Sequence, residues 1–252
     1  MKNLLSKRTL NKYSRQIILK DVGIIGQKKI FNSKILVVGA GGLGSPVIDL
    51  LVRAGVGFLG VIEDDKVDYS NLHRQTLYDY NDVGKYKSDV IKKKIKLIND
   101  KIKLKIFKER AKDKNLSKII PKFDIIVDGT DNFPTKFLLN KYSLKYRKKL
   151  VIGAISKFDG HIFSFDFSQK KIPCLNCFYQ GMPSDEILNC EAEGILGPTA
   201  NVIGALQANE VLKLILGLNE IIKNNILIVD LLNLTSRKVN FKKRKNCLCK
   251  KL

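Results

Sequence analysis

The sequence predicts an α/β fold: one open, mostly parallel β-sheet with helices on both faces, extended by antiparallel strands towards the C-terminus. Three observations carry this. Short runs rich in Ile and Val alternate with stretches of helical periodicity, the rhythm of parallel strands joined by crossover helices. A glycine-rich loop separates the first such run from the first such helix. Past Pro173 the alternation stops, and one long apolar helix is followed by two short strand-like runs.

Residues 34–39 form an apolar run bounded by polar residues, which predicts a buried parallel strand. Helical spacing follows over 45–54, with Gly55 as its stop. Residues 58–62 make a second strand, and 85–99 a lysine-studded amphipathic helix with Val90, Ile91, Ile95 and Ile98 on or near one face. Strands are expected over 102–107 and 123–127, a helix over 133–146, a fifth strand over 150–155 and a sixth over 160–167. The alternation of the sixth fits antiparallel pairing. A polar stretch runs from Pro173 to Gly197, the long helix continues to Leu216, and strands follow over 226–231 and 236–241. The tail, 242–252, is basic and carries two cysteines. With no internal repeat and no low-complexity linker, residues 1–252 are expected to form a single domain.

At 252 residues and 44% hydrophobic content the chain can bury a core without covalent staples. No apolar run approaches the roughly 18 residues of a bilayer span. Residues 1–15 are basic and polar with no secretory apolar segment, so the expected location is cytoplasmic. Five cysteines, several closely paired, then favour metal or thiol chemistry over a disulfide framework. The formal net charge of +22 invites a nucleic-acid surface, yet 38 of the 46 basic residues are lysine and only 8 arginine. Lysines scattered among many Ile and Asn residues fit drift in an AT-rich coding sequence better than an arginine-rich recognition face. A basic chain attracts an acidic partner on either reading.

Gly39-Ala40-Gly41-Gly42-Leu43-Gly44 fits G-x-G-x-x-G between a strand and a helix, where glycines admit phosphate to the backbone and the helix N-terminus supplies partial positive charge. Glu63 ends the second strand, where an acidic side chain accepts from ribose hydroxyls. The loop by itself favours NAD. Three further features point elsewhere. In Ser70-Asn71-Leu72-His73-Arg74-Gln75, Arg74 offers a fork of donors to phosphate oxygens, with Asn71 and Gln75 as neutral donors beside it. Lys87 begins the next helix and can place a point charge near the same phosphates. Asp128-Gly129-Thr130-Asp131-Asn132 ends the fourth strand at the ligand-binding edge of the sheet, and an aspartate facing phosphates there needs Mg²⁺. Hydride transfer has no use for this set, whereas attack on phosphorus does. The ordinary alternatives are a solvated Lys87 and an Asp131 that merely caps the helix starting at Phe133.

In their order, these residues resemble the bacterial E1-like family of ThiF, MoeB and HesA proteins, adenylyltransferases that activate ubiquitin-like sulfur carriers. The likeness runs from Tyr13-Ser14-Arg15-Gln16 through the glycine loop, Ser70 to Gln75, Lys87 and Thr130-Asp131-Asn132 to the long helix after Gly194, nearly the whole chain. It implies a Rossmann-like fold with ATP and Mg²⁺ as cofactors. Gly41 and Gly42 would pack against ATP phosphate and sugar, and Arg74 and Lys87 would stabilise charge as the α-phosphorus is attacked. Asp131 would hold Mg²⁺, with Asn132 beside it in the nucleotide site. Glu63 would hold the ribose where the family usually has Asp, a longer reach for the same carboxylate, and Asp65 matches the family's second acid. Arg15 resembles the arginine that enters a partner subunit's ATP site, which implies a homodimer. The implied reaction is attack by the carrier's C-terminal glycine carboxylate on the α-phosphate, giving an acyl-adenylate for later thiocarboxylate formation in thiamine or molybdenum cofactor synthesis. Its partners would be a small ubiquitin-like carrier ending in Gly-Gly and, with no rhodanese-like domain in the sequence, an external persulfide donor.

Cys174-Leu175-Asn176-Cys177 resembles the first ligand pair of the family's structural Zn²⁺ knuckle. Cys247-Leu248-Cys249 departs from the second pair by having one intervening residue instead of two, a spacing harder to fit on one ion. Cys190 stands in a polar, glycine-flanked segment and matches a position that in ThiF-like relatives bonds to the activated carrier or accepts sulfur; its reactivity depends on a pKa that sequence does not set. A lone Cys is otherwise a small buried hydrophobe. His73 and His161 have no evident acid or metal partner and are expected to serve surface or packing roles. The rival functions are an NAD-dependent oxidoreductase, an E1-like enzyme that adenylates a modified base on tRNA, and a nucleotide-binding scaffold without turnover.

Overall fold

The computed structural model describes residues 6–170, 172–179, 181, 183, 194–218, 221–222, 225–247 and 249. Its centre is an eight-stranded sheet in the spatial order β3-β2-β1-β4-β5-β6-β7-β8. The strands are β1 (Lys34–Val38), β2 (Phe58–Ile62), β3 (Lys103–Phe107), β4 (Ile125–Asp128), β5 (Lys149–Ser156), β6 (Asp159–Asp166), β7 (Asn225–Asp230) and β8 (Thr235–Asn240). β1 to β5 pair in parallel, and β6 to β8 continue the sheet antiparallel. The expected division between a parallel half and an antiparallel end therefore holds.

The helices are α1 (Lys7–Ile17), α2 (Gly23–Asn32), α3 (Gly44–Ala54), α4 (Lys87–Ile98), α5 (Asp113–Ile119), α6 (Phe133–Lys145), the single turn α7 (Leu175–Phe178) and α8 (Gly197–Leu216). Successive residues of β1 feed opposite layers, as the two-residue period of a strand requires. Ile35 and Val37 join Val47 of α3, Ile91 of α4 and Ile203 of α8. Leu36 and Val38 join Leu116 of α5, Phe133 and Leu139 of α6 and Phe163 of β6. A strand buried on both faces reads as an unbroken apolar run, which is why 34–38 is legible as sequence.

Two differences from expectation have local causes. The helix after the Arg74 loop starts at Lys87 rather than residue 85, with Tyr86 as its extended N-cap. The fourth strand starts at Ile125, because Ile120–Lys122 forms a 3₁₀ turn that delivers Phe123 beneath the sheet against Phe58, 5.3 Å between ring centroids. The N-terminal stretch also folds as an amphipathic helix, α1, capped by Ser6, whose hydroxyl oxygen accepts the Thr9 N–H at 3.2 Å. There Gln16 Nε2 donates to Gln27 Oε1 (2.7 Å) and to Ala54 O (3.2 Å), and Tyr13 packs edge-on against Phe31. Among the described residues, no helix is long and apolar enough to cross a membrane.

Candidate active site

β1 sends the chain to β2 and β3 on one side, while β4 returns to its other side, so a crevice opens beyond the carboxyl ends of β1 and β4. It is a cleft of about 1070 Å³. Gly41, Gly42, Glu63, Asp65, Asn71, Arg74, Gln75, Lys87, Asp131 and Asn132 all line it. Residues up to 91 positions apart in the chain thus share one wall system, 41 to 132.

The glycine loop is shaped by backbone crowding. Gly39 has φ of +83°, and a Cβ on Gly44 would collide with Gly39 O. A Cβ on Gly42 would lie 3.2 Å from Ala200 Cβ on α8. We expect Gly44→Ala to destabilise the chain by about 1–3 kcal/mol, the usual cost of overpacking, with a larger loss of nucleotide affinity. A melt and an ATP titration check this, and a variant with unchanged values in both would mean that the loop has room to spare. The Ala40 peptide is pinned on both sides: its N–H donates to Glu63 Oε2 (2.8 Å) and its carbonyl accepts from the Tyr78 hydroxyl (2.9 Å). Burial, with the carboxylates of Glu63, Asp65 and Asp82 nearby, raises the Tyr78 pKa and keeps the hydroxyl a donor.

Glu63 is buried and its second oxygen accepts the Asp65 N–H at 2.9 Å. Both carboxylate oxygens are therefore already engaged with the backbone, each keeping a further lone pair for a ligand. Carboxylate oxygens of Glu63, Asp64 and Asp65 lie within 4.8 Å of one another, and Arg110 Nε sits 3.4 Å from Asp64.

Arg74 is braced from its own loop, with Nη1 donating to Ser70 O at 2.8 Å. Its backbone is fixed from α8, where Asn201 Nδ2 donates to Arg74 O (3.2 Å) and Gly197 O (2.9 Å). His73 lies 3.5 Å from Arg74 Nη1. Gln75 is buried and lines the cleft: its Nε2 would lie 3.6 Å from a Cβ on Gly41, and its buried Oε1 has no hydrogen-bond partner among the described residues. The Lys87 side chain is only 7% exposed, and its ion pair with Asp65 is long at 3.5 Å. A solvated surface lysine is thereby excluded.

The turn after β4 separates two roles that sequence leaves joined. Asn132, not Asp131, caps α6, its Oδ1 accepting the Thr135 N–H at 3.0 Å. Asp131 remains exposed at the cleft, with Asn132 Nδ2 at 3.3 Å. Below it Asp128 and Lys136 form a buried ion pair of 3.2 Å. Lys136, Gln207 and Tyr78 were not distinguishable as site residues in the sequence, since one lysine among 38 carries no signal.

Two candidates lie apart. Arg15 is exposed in the last turn of α1 and does not line this chain's cleft. Cys190 lies outside the described residues. His161 is half-buried in β6, and burial lowers its pKa against a weaker opposing effect from Asp159.

Cys174, Cys177, Cys247 and Cys249 converge despite the single residue between the last two. Their sulfurs are 3.9 Å (Cys174 to Cys177), 3.6 Å (Cys174 to Cys247) and 3.5 Å (Cys177 to Cys249) apart. A tetrahedron with Zn–S bonds of about 2.3 Å has edges of about 3.8 Å, so the donor set fits the ion. In the absence of a cation, burial and the neighbouring Cys177 and Cys247 push the Cys174 thiol up to about 12.

A glycine loop at a topological switch point, the braced Arg74, the enclosed Lys87 and the exposed Asp131 on one cleft fit a class: an α/β protein that holds a nucleotide polyphosphate for displacement at phosphorus. The chain belongs to the ThiF family, whose model matches residues 13–251. Over 246 residues it is 37% identical to the sulfur carrier protein adenylyltransferase of Thermus thermophilus, covering 96% of this chain and 91% of the relative. It is also 37% identical to a probable molybdopterin-synthase adenylyltransferase of Gracilaria tenuistipitata var. liui, covering 96% of this chain and 68% of that protein. It spans about half, 54%, of the Drosophila pseudoobscura pseudoobscura adenylyltransferase and sulfurtransferase MOCS3-1, with 38% identity. Among solved structures, E. coli MccB with ATP is 26% identical, with a TM-score of 0.82 over 95% of this chain and 74% of that one.

Proposed function

We propose that this protein is an ATP-dependent adenylyltransferase that activates the C-terminal glycine of a ubiquitin-like sulfur carrier in thiamine or molybdenum cofactor synthesis. The observation that carries the reading is the meeting of Arg74, Lys87 and Asp131 on the glycine-loop cleft. A carrier carboxylate oxygen attacks the α-phosphorus, the bond from that phosphorus to the bridging oxygen of the β-phosphate breaks, and pyrophosphate departs with the electron pair. Carrier acyl-adenylate remains. No protein nucleophile takes part, so positioning and charge neutralisation supply the acceleration.

In this reading Gly41 and Gly42 let the phosphates and sugar approach the backbone, with Asn71, Gln75 and Asn132 supplying neutral polar contacts. Glu63 and Asp65 bind the ribose side, and Arg74 and Lys87 carry the charge that develops on the α-phosphate and pyrophosphate. Asp131 holds Mg²⁺, which when bound neutralises phosphate charge. Arg15 completes the site of a second copy in a homodimer, the four cysteines hold a structural Zn²⁺, the sulfur comes from a separate persulfide donor, and the setting is the cytoplasm.

ATP–pyrophosphate exchange tests this: it is expected only when a ThiS- or MoaD-type carrier ending in Gly-Gly is added. Exchange without any carrier, or no exchange with either carrier type, would contradict the reading. Cys190→Ala is expected to spare exchange and impair thiocarboxylate formation; a wild-type yield by intact-mass measurement would make Cys190 a bystander.

A further inference from the structure

We propose that Lys136 is a positioning residue of this site: its ammonium group sets the turn between β4 and α6 and ties it to β5, so that Asp131 and the end of β5 meet the nucleotide in fixed register. The inference rests on the adenylation reading. Lys136 is 2% exposed and Asp128 fully buried, 3.2 Å apart. The ammonium has three donors and three acceptors in reach: Asp128 Oδ2, Thr130 O (2.7 Å) and Gly153 O (2.7 Å). The other Asp128 oxygen accepts the Thr130 N–H (2.9 Å) and hydroxyl (2.7 Å). Gln207 Nε2 donates to Asp128 O at 2.9 Å, which brings α8 into the same network. Four elements are joined through one buried pair.

Asp131 receives none of these bonds. Its place is inherited from the turn, whose Thr130 is held at amide, hydroxyl and carbonyl. On β5, the Gly153 carbonyl immediately precedes Ala154 and Ile155, which line the cleft. A buried ion pair is poorly suited to raising stability, because an apolar pair of similar volume does as well or better. What the pair does provide is direction: three short bonds from one atom fix where the turn and β5 stand relative to each other. A misplacement of about 1 Å at a reacting centre is enough to slow chemistry by about 10²-fold.

The test compares the wild-type chain with Lys136→Met, Lys136→Arg and the double variant Asp128→Asn/Lys136→Met. Lys136→Met alone leaves Asp128 buried without its cation and is expected to unfold more readily. In the double variant no buried charge is unpaired, so the melting midpoint returns towards wild type. Carrier-dependent exchange nevertheless stays down by about 10²-fold in kcat, the Mg²⁺ concentration for half-maximal rate rises, and amide hydrogen exchange at residues 129–132 quickens while β1 stays protected. Lys136→Arg, which retains charge and donors in a different geometry, recovers most of the loss seen in Lys136→Met. Recovery of exchange in step with the melting midpoint overturns the proposal, and so does unaltered hydrogen exchange in the turn of the double variant. A wild-type chain inactive with either carrier defeats the adenylation reading instead, and the hydrogen-exchange comparison then still decides whether Lys136 holds the turn.

Discussion

Arg74→Ala is expected to lower carrier-dependent ATP–pyrophosphate exchange by about 10³-fold or more, as loss of a positioned cation does in phosphoryl transfer. The argument is geometric. Ser70 O and Asn201 hold the Arg74 side chain and backbone, so the guanidinium is placed before a ligand arrives. Lys87→Ala is expected to act comparably, because the ammonium is almost fully enclosed and, among the described residues, pairs with Asp65 alone at a long 3.5 Å. That lysine is available for a ligand, and its removal disturbs little: Asp65 is 55% exposed, so losing the pair costs less than about 1 kcal/mol of stability. Arg74→Lys rescues poorly, since a point charge does not reproduce the planar fork. The double variant loses less than the product of the single losses, as for residues acting on one transition state. Steady-state exchange kinetics alongside thermal melts check all four variants, and near-normal exchange in both alanine variants removes these residues from the site.

Removing the Zn²⁺ proposed for the cysteine cluster is expected to produce the second large effect. The cysteine cluster closes a loop between residues 72 and 73 positions apart. On the chain-entropy argument a crosslink of that span contributes about 4 kcal/mol, and for a chain of this size that is roughly 10 °C in the melting midpoint. Without a cation, burial and its neighbours push the Cys174 thiol up to about 12 and keep it protonated at neutral pH, whereas a bound Zn²⁺ would hold it as thiolate. Elemental analysis is expected to find one zinc per chain, and a strong chelator or Cys177→Ser to lower the midpoint by that amount. Zinc-free protein with an unchanged midpoint after chelation rules out a structural ion.

Much of this architecture is legible in the amino-acid sequence, for a physical reason. A central parallel strand is apolar on both faces, so β1 and β2 appear as unbroken runs, and α8 as a long apolar helix with a glycine after it. The glycine loop, the Arg74 segment, Lys87 and Asp131 are visible because each breaks the local pattern with chemistry. Other parts are written in tertiary contacts alone. α2, which has no side-chain cap, depends on Gln27 meeting Ala54 of α3 and on Phe31 meeting Tyr13. α5 is seven residues rich in polar side chains and owes its place to Leu116 and Ile119 beneath the sheet. Lys136 is the extreme case, a buried lysine in a lysine-rich chain whose partners come from β4, the following turn and β5. The choice between Asp131 and Asn132 as helix cap likewise needs a backbone, because both residue types cap well.

The most direct measurement follows an oxygen atom. A Gly-Gly carrier labelled with ¹⁸O in both C-terminal carboxylate oxygens is incubated with the protein, Mg²⁺ and ATP, and hydroxylamine is added to intercept the activated carbonyl. Attack at the α-phosphorus followed by hydroxylamine at the carbonyl carbon gives carrier hydroxamate, pyrophosphate and AMP carrying one ¹⁸O. Release of ADP and phosphate, or of AMP without label, would contradict the account.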